Sequence, residues 1–192
     1  MKKSDNFIFV LYSNPRTVFK FIDIAMLIGD TNFNSLKMKL NYYVKTGRLL
    51  NPRKGIYCKL NYNKEELACC VFLPAYISLD YVLQKAGVIF QFDRKISVVS
   101  YLSREIEADS QIFTFRKIKN ELLASPQGID QMQQGYAIAT VERAFLDSLY
   151  LNGEIYFDNL SPINRDKVEQ LLPLYNSKIL VKRVKKIFEN EH

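Results

Sequence analysis

Residues 44–57, Val-Lys-Thr-Gly-Arg-Leu-Leu-Asn-Pro-Arg-Lys-Gly-Ile-Tyr, restrict the possible folds more than any other stretch of the chain. They read as the end of a helix, a glycine stop and a short hairpin. Gly47 suits the C′ position, because glycine enters the left-handed region without a Cβ penalty. Leu49 and Leu50, then Ile56 and Tyr57, suit two short strands. Between them Asn51-Pro52-Arg53-Lys54-Gly55 is a turn cluster that predicts two cations at the hairpin tip.

The residues upstream supply the helices. Ser4 is expected to cap a helix that runs to about Tyr12 and stops at Asn14-Pro15. Residues 19–28 predict a second helix, with Phe21, Ile24, Ala25 and Ile28 at helical spacing and Gly29 as its stop. Asn32 is the expected N-cap of a third, over 33–46. There Phe33, Leu36, Leu40, Tyr43 and Val44 form one apolar stripe. At about 100° per residue, the opposite face carries Asn34, Ser35, Met38, Asn41, Tyr42 and Lys45, with Lys37 and Lys39 flanking the stripe. Amide, hydroxyl and amine groups on an outward face are what base edges and phosphates require. Helix, tight turn, helix and cationic hairpin together predict a winged helix-turn-helix over residues 1–62. Its expected DNA contacts are Asn34, Ser35, Lys37, Met38, Asn41, Lys45, Arg48, Arg53 and Lys54.

Charge points the same way. Residues 1–60 carry 11 basic and three acidic side chains, a net of +8, whereas the other 132 residues carry 16 and 17, a net of −1. Excess positive charge confined to one module is the electrostatic footprint of nucleic-acid binding. Double-stranded DNA is therefore the expected partner.

The polar run 61–66 marks the expected boundary with a second domain, 63–192. Within residues 75–87, Ser78 is expected to cap a helix that Gly87 closes. Residues 95–101, 111–118 and 135–139 predict strands, and Thr140 an N-cap, with Glu142 in the first helical turn. Helical patterns over 162–173 and 178–190 follow; the last is basic on one side, with Lys178, Lys182, Arg183, Lys185 and Lys186. The expected class is α+β: a winged helix-turn-helix, then an α+β domain whose small sheet packs against helices.

Little in the chain predicts an enzyme. The one histidine is His192, at the end, which removes Ser-His-Asp and Cys-His arrangements. Seven glycines form no phosphate loop. The acid pairs Glu105 with Glu107 and Glu142 with Asp147 leave a metal-dependent nuclease as the enzymatic alternative, though no spacing fixes a ligand geometry. No metal and no cofactor are expected. Cys58, Cys69 and Cys70 are odd in number and lack a CxxC spacing, so reduced thiols in a cytoplasmic protein are expected. No apolar run reaches 18 residues, so no membrane partner is expected.

Three segments together resemble one family. They are Phe21-Ile22-Asp23-Ile24-Ala25 through the hairpin to Tyr57, Tyr76-Ile77-Ser78-Leu79 through Gly87, and the run from Ala139-Thr140-Val141-Glu142-Arg143 to Asp147. They are similar to the AbiEi-type antitoxins of abortive-infection type IV toxin–antitoxin systems, also described as viral-defence transcriptional regulators. The resemblance spans about residues 19–151. It departs where the family commonly has proline at Val141, lysine at Arg143 and histidine at Ala86. It implies an N-terminal module that binds promoter inverted repeats and represses its own operon. It also implies a second domain needed to counteract a nucleotidyltransferase-like toxin encoded alongside. A one-component regulator, whose second domain senses a ligand or partner, is the alternative.

Overall fold

The computed structural model of the protein describes residues 3–91 and 93–189. It is a mixed α and β chain in two compact units. The first comprises Met1–Val71 with Gln133–Tyr136, the second Phe72–Met132 with Ala137–His192. The expected division at 62/63 falls inside the first of these.

The first unit runs α1 (Lys3–Ser13), β1 (Val18–Lys20), α2 (Phe21–Ile28), α3 (Phe33–Lys45), β2 (Leu50–Arg53), β3 (Ile56–Cys58) and α4 (Lys64–Val71). Its three strands are antiparallel in the order β1-β3-β2. One core joins them: Phe7, Leu11, Phe19, Ile24, Ala25, Leu36, Leu40, Tyr43, Leu49 and Tyr57. The Phe7 and Tyr43 rings stack at 5.1 Å. Each buried Leu or Phe contributes roughly 1.5–3 kcal/mol of transfer free energy, which is what fixes three short helices against so small a sheet.

Two expectations fail here for tertiary reasons. The helix expected from residue 19 starts only at Phe21, because residues 18–20 are drawn into a sheet. Val18 pairs with Cys58 and Phe19 with Tyr57. The polar run 61–66, expected as a boundary, contains the start of α4 and two buried glutamates. The Glu66 carboxylate accepts the backbone N–H groups of Thr17 at 2.8 Å and Val18 at 3.1 Å, and the Thr17 hydroxyl at 2.5 Å. It thereby satisfies donors at the mouth of β1 that have no strand partner. Glu65 accepts the Tyr136 hydroxyl at 2.5 Å.

The second unit runs β4 (Ala75–Ile77), α5 (Asp80–Lys85), β5 (Ile96–Ser100), β6 (Arg104–Ala108), β7 (Gln111–Lys117), α6 (Asn120–Ala124), β8 (Ile129–Gln131), β9 (Ala137–Ala139), α7 (Val141–Asn152), α8 (Arg165–Leu171), a 3-10 turn (Leu172–Tyr175) and α9 (Lys178–Glu189). The sheet order is β6-β7-β5-β4-β9-β8, with β4/β9 and β5/β7 parallel. Helices pack against it, α7 burying Ala144, Phe145, Leu146 and Leu149. Between the two strands expected at 95–101 and 111–118, residues 104–108 add edge strand β6, whose Arg104, Glu105 and Glu107 are exposed. Charged side chains of this kind keep an edge from pairing with another chain.

The helix expected between Ser78 and Gly87 is the short α5, and residues 75–77 before it form β4. Ser78 does not cap it; Leu79 occupies that position at φ 60°. The Ser78 hydroxyl donates instead to Asp147, at 2.8 Å. Asp147 also accepts the Tyr76 hydroxyl at 3.0 Å, the Tyr175 hydroxyl at 2.6 Å and Arg143 Nε at 3.3 Å. Arg143, fully buried, further donates to the carbonyls of Leu122 at 2.8 Å and Gln127 at 3.0 Å. Burial pushes the Asp147 carboxyl above its ordinary 3.8, against the pull of Arg143 and the three hydroxyls. The result is a polar tie between β4, α7 and the turn before α9.

Candidate nucleic-acid interface

α3 is defined at both ends by local chemistry. Gly29 ends α2 at φ 67°, and the Asn32 side chain then accepts the Ser35 N–H at 3.0 Å, capping α3 as expected. Thr46 closes the helix, and Gly47, at φ 66°, turns the chain toward β2. Leu36, Leu40 and Tyr43 are buried as the stripe predicts. Phe33 is not: it is 51% exposed, with its ring edge-on to Phe21 at 5.7 Å. Val44 is half-buried.

On the outward side, Asn34, Met38, Asn41 and Lys45 are all exposed. At 3.6 residues per turn these four fall within an arc of about 60°, a single ridge along the helix. Lys37 lies exposed on one flank, and Tyr42 and the half-buried Ser35 on the other. Lys39 is committed elsewhere, to Asp30 at 3.1 Å. The Asn32 N–H and then Lys39 hold the Asp30 carboxyl below its ordinary 3.8.

The hairpin differs from its expected form. β2 extends to Arg53, opposite Ile56, so only Lys54 and Gly55 form the turn. Arg53 is half-buried in the strand and Lys54 is the exposed cation at the tip. Pro52 would break a central ladder, but β2 is an edge strand, where proline is tolerated. The register shifts between Leu50 and Arg53. Asn51 compensates: its side-chain amide donates to the carbonyls of Arg53 at 2.9 Å and Ile56 at 2.7 Å. The Phe21 N–H donates to the Gly55 carbonyl at 2.9 Å, which ties the tip to the start of α2. Arg48 is exposed, its carbonyl accepting the Tyr12 hydroxyl at 2.8 Å. Sequence alone did not mark Asn51 or Glu66 as positioning residues; their partners are set by strand register and by a segment 49 residues away.

Among the described residues Asp23 pairs with Arg16 and Asp30 with Lys39. Among the described residues Lys37, Lys45, Arg48 and Lys54 have no carboxylate partner. Their field is therefore available to a polyanion.

The alternative chemistries have less to stand on. Glu105 pairs with Lys95 at 3.1 Å. Glu142 is buried and accepts the Asn164 N–H at 3.3 Å, and Asp147 is locked in the polar tie. No three His, Cys, Asp or Glu side chains among the described residues gather as a metal site. Cys58, Cys69 and Cys70 are buried free thiols, and burial pushes that of Cys70 to about 11. His192 lies outside the described residues. No helix among the described residues is long and apolar enough to cross a membrane. Compared with known protein families and with curated proteins, the chain matches none.

Proposed function

We propose that this protein is a DNA-binding repressor whose first unit is a winged helix-turn-helix, and that it acts as the antitoxin of a toxin–antitoxin pair. The observation that carries the DNA-binding half is the outward side of α3: an exposed ridge of two amides, a thioether and an amine, bordered by Lys37, which like Lys45, Arg48 and Lys54 has no carboxylate partner among the described residues. The order helix, strand, helix, helix, strand, strand, with the first strand beside the last, supports the winged-helix reading. In this reading α3 enters the major groove with Asn34, Met38 and Asn41 toward base edges. Lys37, Lys45, Arg48, Arg53 and Lys54 anchor phosphates, and Ser35 borders the backbone at the first turn. The target is promoter DNA containing inverted repeats.

The antitoxin half rests on the family resemblance. Beside it stands the contact between the second and third segments, whose Tyr76, Ser78, Arg143 and Asp147 meet in one hydrogen-bonded cluster. The test has two arms. Full-length protein should protect a segment of its own upstream DNA from nuclease and lower expression from that promoter. The adjacent gene should encode a nucleotidyltransferase-like protein whose toxicity this protein relieves. No protection refutes the repressor; toxicity that persists, or a harmless neighbour, refutes the antitoxin. A one-component regulator is favoured in that case by a cleft of about 640 Å³ in the second unit, lined by Lys117, Lys119, Asn120, Tyr175 and Asn176.

A further inference from the structure

We infer that the α3 ridge selects adenine–thymine pairs, with Asn34 and Asn41 reading adenines and Met38 packing on a thymine methyl between them. The inference deepens the DNA-binding reading and rests on it. Asn34 to Asn41 covers seven residues, about 10 Å of helix, or roughly three base pairs. Asn32, Asn51, Asn63 and Asn164 each spend a side-chain oxygen or nitrogen on the backbone of this chain. Asn34 and Asn41 make no such bond to a described residue, and both are exposed. Each therefore presents a free donor and a free acceptor side by side.

In the major groove that pair matches adenine, which offers an N7 acceptor beside an N6 donor. Guanine offers two acceptors and calls for two donors from one side chain, as Arg or Lys supplies. The ridge has one cation, Lys45, in the last turn of α3, one turn beyond Asn41 and assigned to phosphate. Met38 is 73% exposed and has no place in the core of this chain. The apolar group that the major groove offers such a side chain is the C5 methyl of thymine.

The test uses full-length protein and duplexes selected from a random pool. Selected half-sites should carry A·T pairs at the ridge positions. Replacing one contacted adenine by 7-deazaadenine should weaken binding about five-fold or more. Replacing the central thymine by uracil, which lacks the methyl, should weaken binding measurably. Asn41→Ala and Asn34→Ala should each abolish the preference at one position, and Met38→Ala should erase the difference between thymine and uracil. All three side chains are exposed, so these variants keep the fold. Guanine at the ridge positions, or base preferences unchanged in all three variants, overturns the inference. A protein that binds every duplex equally, with salt-dependent affinity, overturns it and leaves the DNA-binding reading standing. A protein that binds no duplex overturns both.

Discussion

Replacing Arg143 with Met tests how the second unit is held. The guanidinium has no exposure, and neither does the Asp147 carboxylate beside it at 3.3 Å. Met fills much of the volume but leaves that carboxylate buried without a counter-ion, and strips a donor from the carbonyls of Leu122 and Gln127. Breaking one side of a buried pair costs about 3–5 kcal/mol. With a urea dependence of about 2 kcal/mol per molar, 4 kcal/mol lowers the unfolding midpoint by about 2 M. The chain has twelve Tyr and no Trp, so tyrosine fluorescence reports the transition. The loss also has a pH signature. Burial already pushes the Asp147 carboxyl above 3.8, and Arg143 pulls it down. Without Arg143 it rises further. An acid whose folded value lies above its unfolded value contributes fully in acid and costs stability as pH rises through the folded value. The deficit of Arg143→Met should therefore be smaller at pH 5 than at pH 8. Replacing Asp147 with Leu as well should recover most of it. A midpoint shift below about 0.3 M, or a deficit equal at both pH values, would refute this account of the cluster.

Three further outcomes follow from the first unit. Glu66→Gln should cost about 2 kcal/mol and speed amide exchange at Thr17 and Val18, whose N–H groups it holds; unchanged exchange there contradicts the role assigned to Glu66. Asn32→Ala should cost about 1 kcal/mol by removing the α3 cap, and a loss within error of zero contradicts that capping. The Asp30 carboxyl should titrate below 3.8 by NMR, so its contribution to stability is present above 3.8 and disappears as pH falls through the folded value. Lys39→Ala should move that titration back toward 3.8; an Asp30 midpoint above 3.8 in the unaltered protein contradicts the assigned contacts.

Features set by local chemistry were legible in the sequence. Asn32 and Thr140 cap helices as their side chains predict, and Gly29 and Gly47 adopt left-handed turns after α2 and α3. Leu36, Leu40 and Tyr43 of the α3 stripe are buried as its period predicted, whereas Phe33 is exposed. The misreadings share another cause. Val18–Lys20 is a strand because β3, nearly 40 residues later, pairs with it. Ser78 has the look of a helix cap, but an aspartate 69 residues away captures its hydroxyl. Glu65 and Glu66 read as part of a polar boundary because their partners, Tyr136 and Thr17, are distant in sequence. Arg53 left the hairpin tip because Asn51 supplies bonds that let β2 run past a proline. Of the candidate interface, the outward exposure of Asn34, Met38, Asn41 and Lys45 was readable from spacing. That Lys39 is tied to Asp30 was not, since that pairing depends on the turn between α2 and α3.

The central claim is that cations on α3 and the hairpin meet DNA phosphate. The most direct measurement is the affinity of full-length protein for a duplex of its upstream DNA as a function of salt. If Lys37, Lys45, Arg48, Arg53 and Lys54 each meet one phosphate, log affinity should fall against log salt with a slope of about −4.5. Arg53→Ala with Lys54→Ala should flatten that slope by about 2 and weaken binding to all sequences alike. An affinity and a slope that the double substitution leaves unchanged would contradict the assignment of the hairpin, and an affinity indifferent to salt would contradict the interface as a whole.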